Sequence, residues 1–244
     1  MTSRGKPNGE GCPDCARDCI GKHNLIWANL SPGEQHLFNE IRIPMSFKRR
    51  QIVIHQGGFS SGVHCVLSGV LAQRLTDPQG NTVLTRVRTR SALIGLDSVV
   101  LDEAHHVSTE ALTDTSTCFI PKDALMWFYQ ANERFARSLT QELAREVRHF
   151  ETQRLIASFQ IRTRVLQFLY DVADEFGDYN DEGQLVISLP LSRQDIASYM
   201  GVRHESITRT IRDLARDGIA IFHKREVTID DIDRLLDEIE GEPF

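Results

Sequence analysis

No uninterrupted apolar run in the 244-residue sequence approaches the ~20 residues that a membrane-spanning helix needs. Nor does an apolar stretch follow the charges of Met1-Thr2-Ser3-Arg4-Gly5-Lys6-Pro7, so a secretory leader is not expected and a cytoplasmic location is. A Gly-rich nucleotide loop, a nucleophile elbow and a second cysteine quartet are missing, which argues against an enzyme. Positive charge is not in excess: 28 Lys and Arg against 34 Asp and Glu leave a net charge of −6. That balance excludes a chain coating nucleic acid with its whole surface but leaves room for a local basic site. With 41 % hydrophobic and 25 % charged residues, the composition is that of a soluble globular protein. Its length suits one large or two modest domains.

Cysteine is scarce, five in all, yet three fall in Cys12-x2-Cys15-x3-Cys19. They sit in residues 1–24, a stretch rich in Gly, Pro and charge with no apolar periodicity, which would not fold unaided. Thiolates held this close repel one another unless a cation shares them. Zinc and an iron–sulfur cluster both answer that need, and both want four ligands; a thiol redox switch without metal is the remaining alternative. Cys65 and Cys118 are the candidates for a fourth ligand. Cys65, within Val63-His64-Cys65-Val66-Leu67, reads as a buried small hydrophobe of a strand. Cys118, within Thr117-Cys118-Phe119-Ile120-Pro121, closes a strand just before a long helix, where a ligand would couple the cysteine loop to that helix.

The rest of the chain alternates in texture. Ser31-Pro32-Gly33-Glu34 opens a short helix with Ser31 as N-cap, Pro32 first and Glu34 third, and Leu37, Phe38 and Ile41 as its buried face. From Phe47 to Pro121 the chain forms short β-rich runs separated by Gly and Pro turns, with no crossover helices, which points to an antiparallel roll. Residues 122–160 read as helix; Leu139, Leu143, Val147 and Phe150 form one apolar stripe among charged faces, a pattern suited to pairing with a second copy. Residues 161–244 form a second domain. The chain is thus α+β: cysteine loop (1–24), β-roll (25–121), helical connection and dimerisation helix (122–160), and a helical, winged C-terminal domain (161–244).

The C-terminal domain carries the clearest pattern. Ser192 caps a short helix with Asp195 at its third position, Gly201 suits a tight turn, and a second helix runs from about His204 to Arg216. Ile207, Ile211 and Leu214 form its apolar face, whereas Glu205, Thr208, Arg209, Arg212 and Arg216 form the opposite one. Helix, tight turn and helix with a basic outer face make a helix-turn-helix, and the hairpin around Lys224 and Arg225 makes a wing. Arg209 can hold guanine through O6 and N7, and Glu205 can accept from the cytosine N4 amino group. Residues 188–226 carry seven Lys/Arg and five Asp/Glu, whereas residues 227–244 carry one Arg and seven acids, so the DNA face is modestly basic and the acidity lies beyond it.

Four segments resemble the CRP/FNR superfamily of bacterial transcription regulators, and within it the oxygen-sensing FNR branch: Leu93-Ile94-Gly95-Leu96-Asp97, His105-His106-x-Ser108, Cys118-x-Ile120-Pro121 and Glu205-x2-Thr208-Arg209. The resemblance covers nearly the whole chain. It implies a [4Fe–4S] cluster on Cys12, Cys15, Cys19 and Cys118, and a homodimer that binds a palindromic operator with TTGAT-like half-sites in low oxygen. It assigns base reading to Glu205, Thr208 and Arg209, within a DNA face that also includes Ser192, Arg203, His204 and Arg212. It also implies RNA polymerase as a partner, with Thr76 to Asn81 as the corresponding exposed turn. The chain departs from the branch in its three-residue spacing before Cys19, in Arg203 at a capping position and in Thr208 in place of serine. Ser108-Thr109-Glu110 offers no arginine for a cyclic nucleotide phosphate, so no cyclic nucleotide is expected as effector.

Overall fold

The computed structural model describes residues 26–241; Cys12, Cys15 and Cys19 lie outside them. A one-turn 3-10 helix, Trp27–Asn29, precedes helix α1 (Pro32–Ile41) and strands β1 (Ile43–Phe47), β2 (Ile52–Ile54) and β3 (Gly62–Ser68). The hairpin β4 (Leu71–Thr76) and β5 (Thr82–Arg88) follows, then β6 (Leu93–Ile94), α2 (Leu96–Leu101), β7 (Ser108–Ala111) and β8 (Thr115–Pro121). Helices α3 (Lys122–Ala131), α4 (Glu133–Ile156) and α5 (Ile161–Phe176) lead to β9 (Gly177–Tyr179) and β10 (Leu185–Ser188). The chain ends in α6 (Arg193–Tyr199), α7 (His204–Arg216), β11 (Ile221–His223), β12 (Glu226–Ile229) and α8 (Ile232–Glu240). The α+β class is as expected. Two compact units emerge: the chain up to Leu71 with Arg88–Leu143, and Ala72–Val87 with the chain from Ala144 on.

In the first unit, the sheet order β1-β8-β3-β6 puts β8 between two antiparallel neighbours. Cys118 therefore has Pro44 opposite on one side and Cys65 on the other. The chain splits into β3 and β4 at Gly69, which turns it at φ +90° where a Cβ would clash with the Thr115 hydroxyl. One short helix, α2, follows β6 directly. Gly95, at φ +82°, starts that helix. His105 and His106 precede β7; His105 is buried and His106 exposed.

The core of this unit is aromatic. Trp27 lies 4.5 Å from Phe38 and 5.3 Å from Phe135, and Phe128 lies 5.8 Å from Phe135 (ring centroids); all four are fully buried. Aromatic pairs at such separations add about 0.5–1.5 kcal/mol to what burial alone contributes. Helix α1 enters this core as its sequence indicates: the Ser31 hydroxyl accepts from the Glu34 N–H, the Glu34 carboxylate accepts from the Ser31 N–H, and Phe38 is buried with Leu37 and Ile41 packed beside it.

The helix expected over 122–160 is broken at Asn132, which is extended at φ −133°, and ends at Ile156. Asn132 has competing partners from distant sequence: its amide donates to Glu34 Oε2 (2.8 Å) and the Asn29 carbonyl (3.2 Å), while its side-chain oxygen accepts from the Phe135 N–H. These bonds offset the helical bond lost at the break.

In the second unit, β10 sits inside the order β11-β12-β10-β9, and α5, α6, α7 and α8 complete the fold. Strand β9 follows α5 directly and pairs with β10. Arg162 ties α5 to α8 through both oxygens of Glu238, at 2.8 and 3.1 Å, and also pairs with Asp217 at 2.9 Å.

Candidate nucleic-acid interface and the Cys118 site

Ser192 builds the first helix of the helix-turn-helix. Its hydroxyl accepts from the Asp195 N–H at 3.1 Å, while Asp195 Oδ2 accepts from the Ser192 N–H (2.9 Å) and hydroxyl (2.7 Å). Burial pushes the Asp195 carboxyl up, but those bonds and the Arg74 guanidinium outweigh it and hold the group below the usual carboxylate range. Helix α6 ends at Met200, and Gly201 turns the chain at φ +62°. A Cβ at Gly201 would meet nothing within 4 Å, so glycine is needed there for conformation rather than space.

Helix α7 has the two faces its sequence spacing requires. Ile207 and Leu214 are fully buried and Ile211 nearly so. Arg203, His204, Glu205, Arg209 and Arg212 are exposed and Thr208 is half-buried. Arg203 caps the helix without a side-chain hydrogen bond. The Thr208 hydroxyl lies 3.4 Å from His204 Nε2, one turn away. Arg209 and Arg212 make no ion pair among the described residues, whereas Arg216 pairs with Asp213 at 2.9 Å and Asp217 at 3.2 Å. The free basic charge is thus concentrated on the first three turns, next to Glu205. In the wing, Lys224 adopts φ +54° at the tip between β11 and β12, and both Lys224 and Arg225 are exposed. An exposed helix with a bidentate donor and an acid beside it, flanked by a basic hairpin, can place side chains on base edges and phosphates together.

Cys118 stands apart from this surface, in the core of the first unit. It is fully buried and clusters with Ile26, Trp27, Leu30 and Cys65. Arg42 Nη1 donates to its Sγ at 3.2 Å. Cys65 is also buried, as expected of a small hydrophobe, and forms no disulfide. No group of three or more His, Cys, Asp or Glu side chains gathers among the described residues. Near β7, the Ser108 hydroxyl accepts from the Gln56 N–H at 3.0 Å. Thr109 is buried with no partner for its hydroxyl among the described residues. No helix among the described residues is long and apolar enough to cross a membrane.

Comparison with known proteins falls on the same two regions. Residues 44–132 match the cyclic nucleotide-binding domain family and residues 163–238 the Crp-like helix-turn-helix domain family. The chain is 24 % identical to the nitrogen fixation regulation protein FixK of Bradyrhizobium diazoefficiens, over 89 % of this chain and 90 % of that protein. It is 27 % identical to the transcriptional activator protein FnrA of Stutzerimonas stutzeri, over 79 % of this chain and 76 % of that protein. Among solved structures, FixK2 from Bradyrhizobium japonicum superposes with a TM-score of 0.71 at 23 % identity, covering 81 % of this chain and 96 % of that one.

Proposed function

Since the chain is a DNA-binding transcription regulator of the CRP/FNR family, and not an enzyme, we propose that its DNA binding is governed by an oxygen-sensitive iron–sulfur cluster. Cys12, Cys15, Cys19 and Cys118 would hold a [4Fe–4S] cluster. The observation that carries this reading is the place of Cys118: a fully buried thiol with a guanidinium donor on its sulfur, in the same core as Ile26 and Trp27. Cys19 lies seven positions before Ile26, a span of at most about 25 Å, so chain length allows Cys19 to reach the fourth sulfur. The donor set, four thiols with a cation beside one of them, fits a group that binds thiolates. Such a cluster supplies bonds that exist only while it is intact, and differential bonding of this kind is what a two-state switch requires.

The active form is a homodimer in the cytoplasm. Along α4, Leu139 is buried whereas Val147 and Phe150 are 60 % and 53 % exposed, so half of the apolar stripe is left for a second copy. Two copies place two α7 helices in successive major grooves about 34 Å apart on a palindromic operator with TTGAT-like half-sites. Glu205, Thr208 and Arg209 read bases. Ser192, Arg203, His204 and Arg212 complete the contact surface. RNA polymerase meets the exposed turn Thr76 to Asn81, where Asp77 Oδ1 accepts from the N–H groups of Gln79 and Asn81. A cyclic nucleotide is not the effector in this reading, because Ser108-Thr109-Glu110 offers no arginine for its phosphate.

The test is a gel shift with a palindromic duplex, using protein prepared without oxygen and then exposed to air. Retention that falls on exposure, and that is absent in Cys118→Ala, supports the reading. Equal retention in all preparations overturns cluster control.

A further inference from the structure

By sequence the β4–β5 hairpin lies in the β-rich half of the chain, yet in space Ala72–Val87 belong with the helix-turn-helix. Three contacts account for this. Arg74 Nη2 donates to Asp195 Oδ1 at 2.8 Å, with the two side chains only 23 % and 17 % exposed. The Leu84 N–H donates to the Ser198 hydroxyl at 2.8 Å. Arg86 pairs with Glu146, and its guanidinium carbon lies 5.1 Å from the centre of the Phe150 ring. The first two contacts grip α6 at positions three apart, on one face of the helix.

The Asp195 carboxylate is divided between two tasks. Oδ2 closes the cap with Ser192, whereas Oδ1 serves Arg74. The hairpin is therefore fastened to the N-terminal turn of the first helix, next to Ser192. It leaves the reading surface open, since Glu205, Arg209 and Arg212 remain exposed. A contact that shields an ion pair from solvent, yet does not cover the recognition helix, orients the reading head rather than blocking it.

We propose that the β4–β5 hairpin is a clasp for the helix-turn-helix, with Arg74 as a positioning residue that acts through Asp195 to set DNA affinity without touching DNA. The proposal rests on the palindromic-operator reading only for its affinity arm. In the full chain, the clasp is read by hydrogen exchange at the Leu84 amide without DNA, and by affinity for a two-half-site and a one-half-site duplex over a range of salt.

Arg74→Ala is expected to speed Leu84 exchange about tenfold, because the two contacts fasten one hairpin and loosen together. It should weaken two-half-site binding about tenfold, the order expected for contacts in one network. One-half-site binding and the salt dependence should stay as in the wild type. Arg74→Lys should restore part of both effects, and Ser198→Ala should speed Leu84 exchange with Arg74 intact. Unchanged Leu84 exchange in Arg74→Ala overturns the clasp. So does two-half-site affinity equal to or tighter than wild type. A salt slope reduced by about one in Arg74→Ala would mean that Arg74 neutralises a phosphate directly, and overturns it too. If wild-type protein fails to hold the palindrome, the operator reading falls, and Leu84 exchange still decides the clasp. If Arg74→Ala does not fold, Arg74→Lys and Ser198→Ala carry the exchange test.

Discussion

Arg42 donates from Nη1 to the sulfur of Cys118 across 3.2 Å, bridging the residue after α1 and the central strand β8. A charge-assisted donor stabilises negative charge on sulfur, the form in which cysteine binds metal. Cys118→Ala and Arg42→Met are therefore both expected to lower the iron retained after anaerobic purification, the first completely and the second in part. Cys65→Ala, in the facing strand, should keep its iron and show only a lower urea midpoint from the cavity it leaves. Iron loss in Cys65→Ala with retention in Cys118→Ala would exchange the two assignments.

On α7, Glu205→Ala and Arg209→Ala should each weaken binding to the preferred site by about 1–3 kcal/mol while leaving binding to unrelated DNA nearly unchanged, as loss of base contacts does. Lys224→Ala in the wing should instead weaken binding to every sequence alike and lower the salt slope by about one. Competition binding on sets of single-base variants, repeated at several salt concentrations, separates the two patterns.

Local sequence prescribes this surface. The Ser192 cap, the Gly201 turn and the Ile207-Ile211-Leu214 face are local features, each decided within one or two helical turns, so sequence spacing alone located α6 and α7. The break at Asn132 was not legible, because asparagine fits a helix and the pull toward Glu34 and Asn29 comes from about 100 residues away. The split at Gly69 depends on the approach of Thr115, again a distant neighbour. Glu146 is occupied by Arg86, and neither that pair nor the hairpin's attachment to α6 has a local sequence signal. That Cys118 lies on a strand leading into a helix follows from its place before Pro121, whereas its Arg42 partner lies 76 positions away.

Burial, and to a lesser extent His105, lower the pKa of His64 to about 4 from 6.5. A histidine with a lowered folded pKa is neutral in the native state and takes up protons preferentially on unfolding. Its contribution to stability is complete above about pH 6.5 and is lost as pH falls toward 4, roughly 3 kcal/mol in all. His105, lowered by burial against the opposing charge of Asp97, acts in the same direction. Urea denaturation at pH 7 and pH 4.5 should show the loss, and His64→Gln should reduce it. An equal acid loss in His64→Gln would assign the effect elsewhere.

In the aromatic core, Phe135→Ala removes contacts to both Trp27 and Phe128 and should cost about 3–5 kcal/mol, seen as a lower denaturant midpoint. On the exposed half of the α4 stripe, Val147→Glu should leave that midpoint nearly unchanged and shift sedimentation from dimer to monomer. Dimer retention in Val147→Glu would remove Val147 from the seam.

The most direct test of the account is one preparation assayed twice. Full-length protein purified in strict anoxia is analysed for iron, sulfide and zinc, and its affinity for a palindromic operator is measured before and after air. The account predicts about four iron and four sulfide per chain, no zinc, and tight binding that weakens as the visible colour bleaches. Colourless protein without iron that binds the operator equally well before and after air would contradict it.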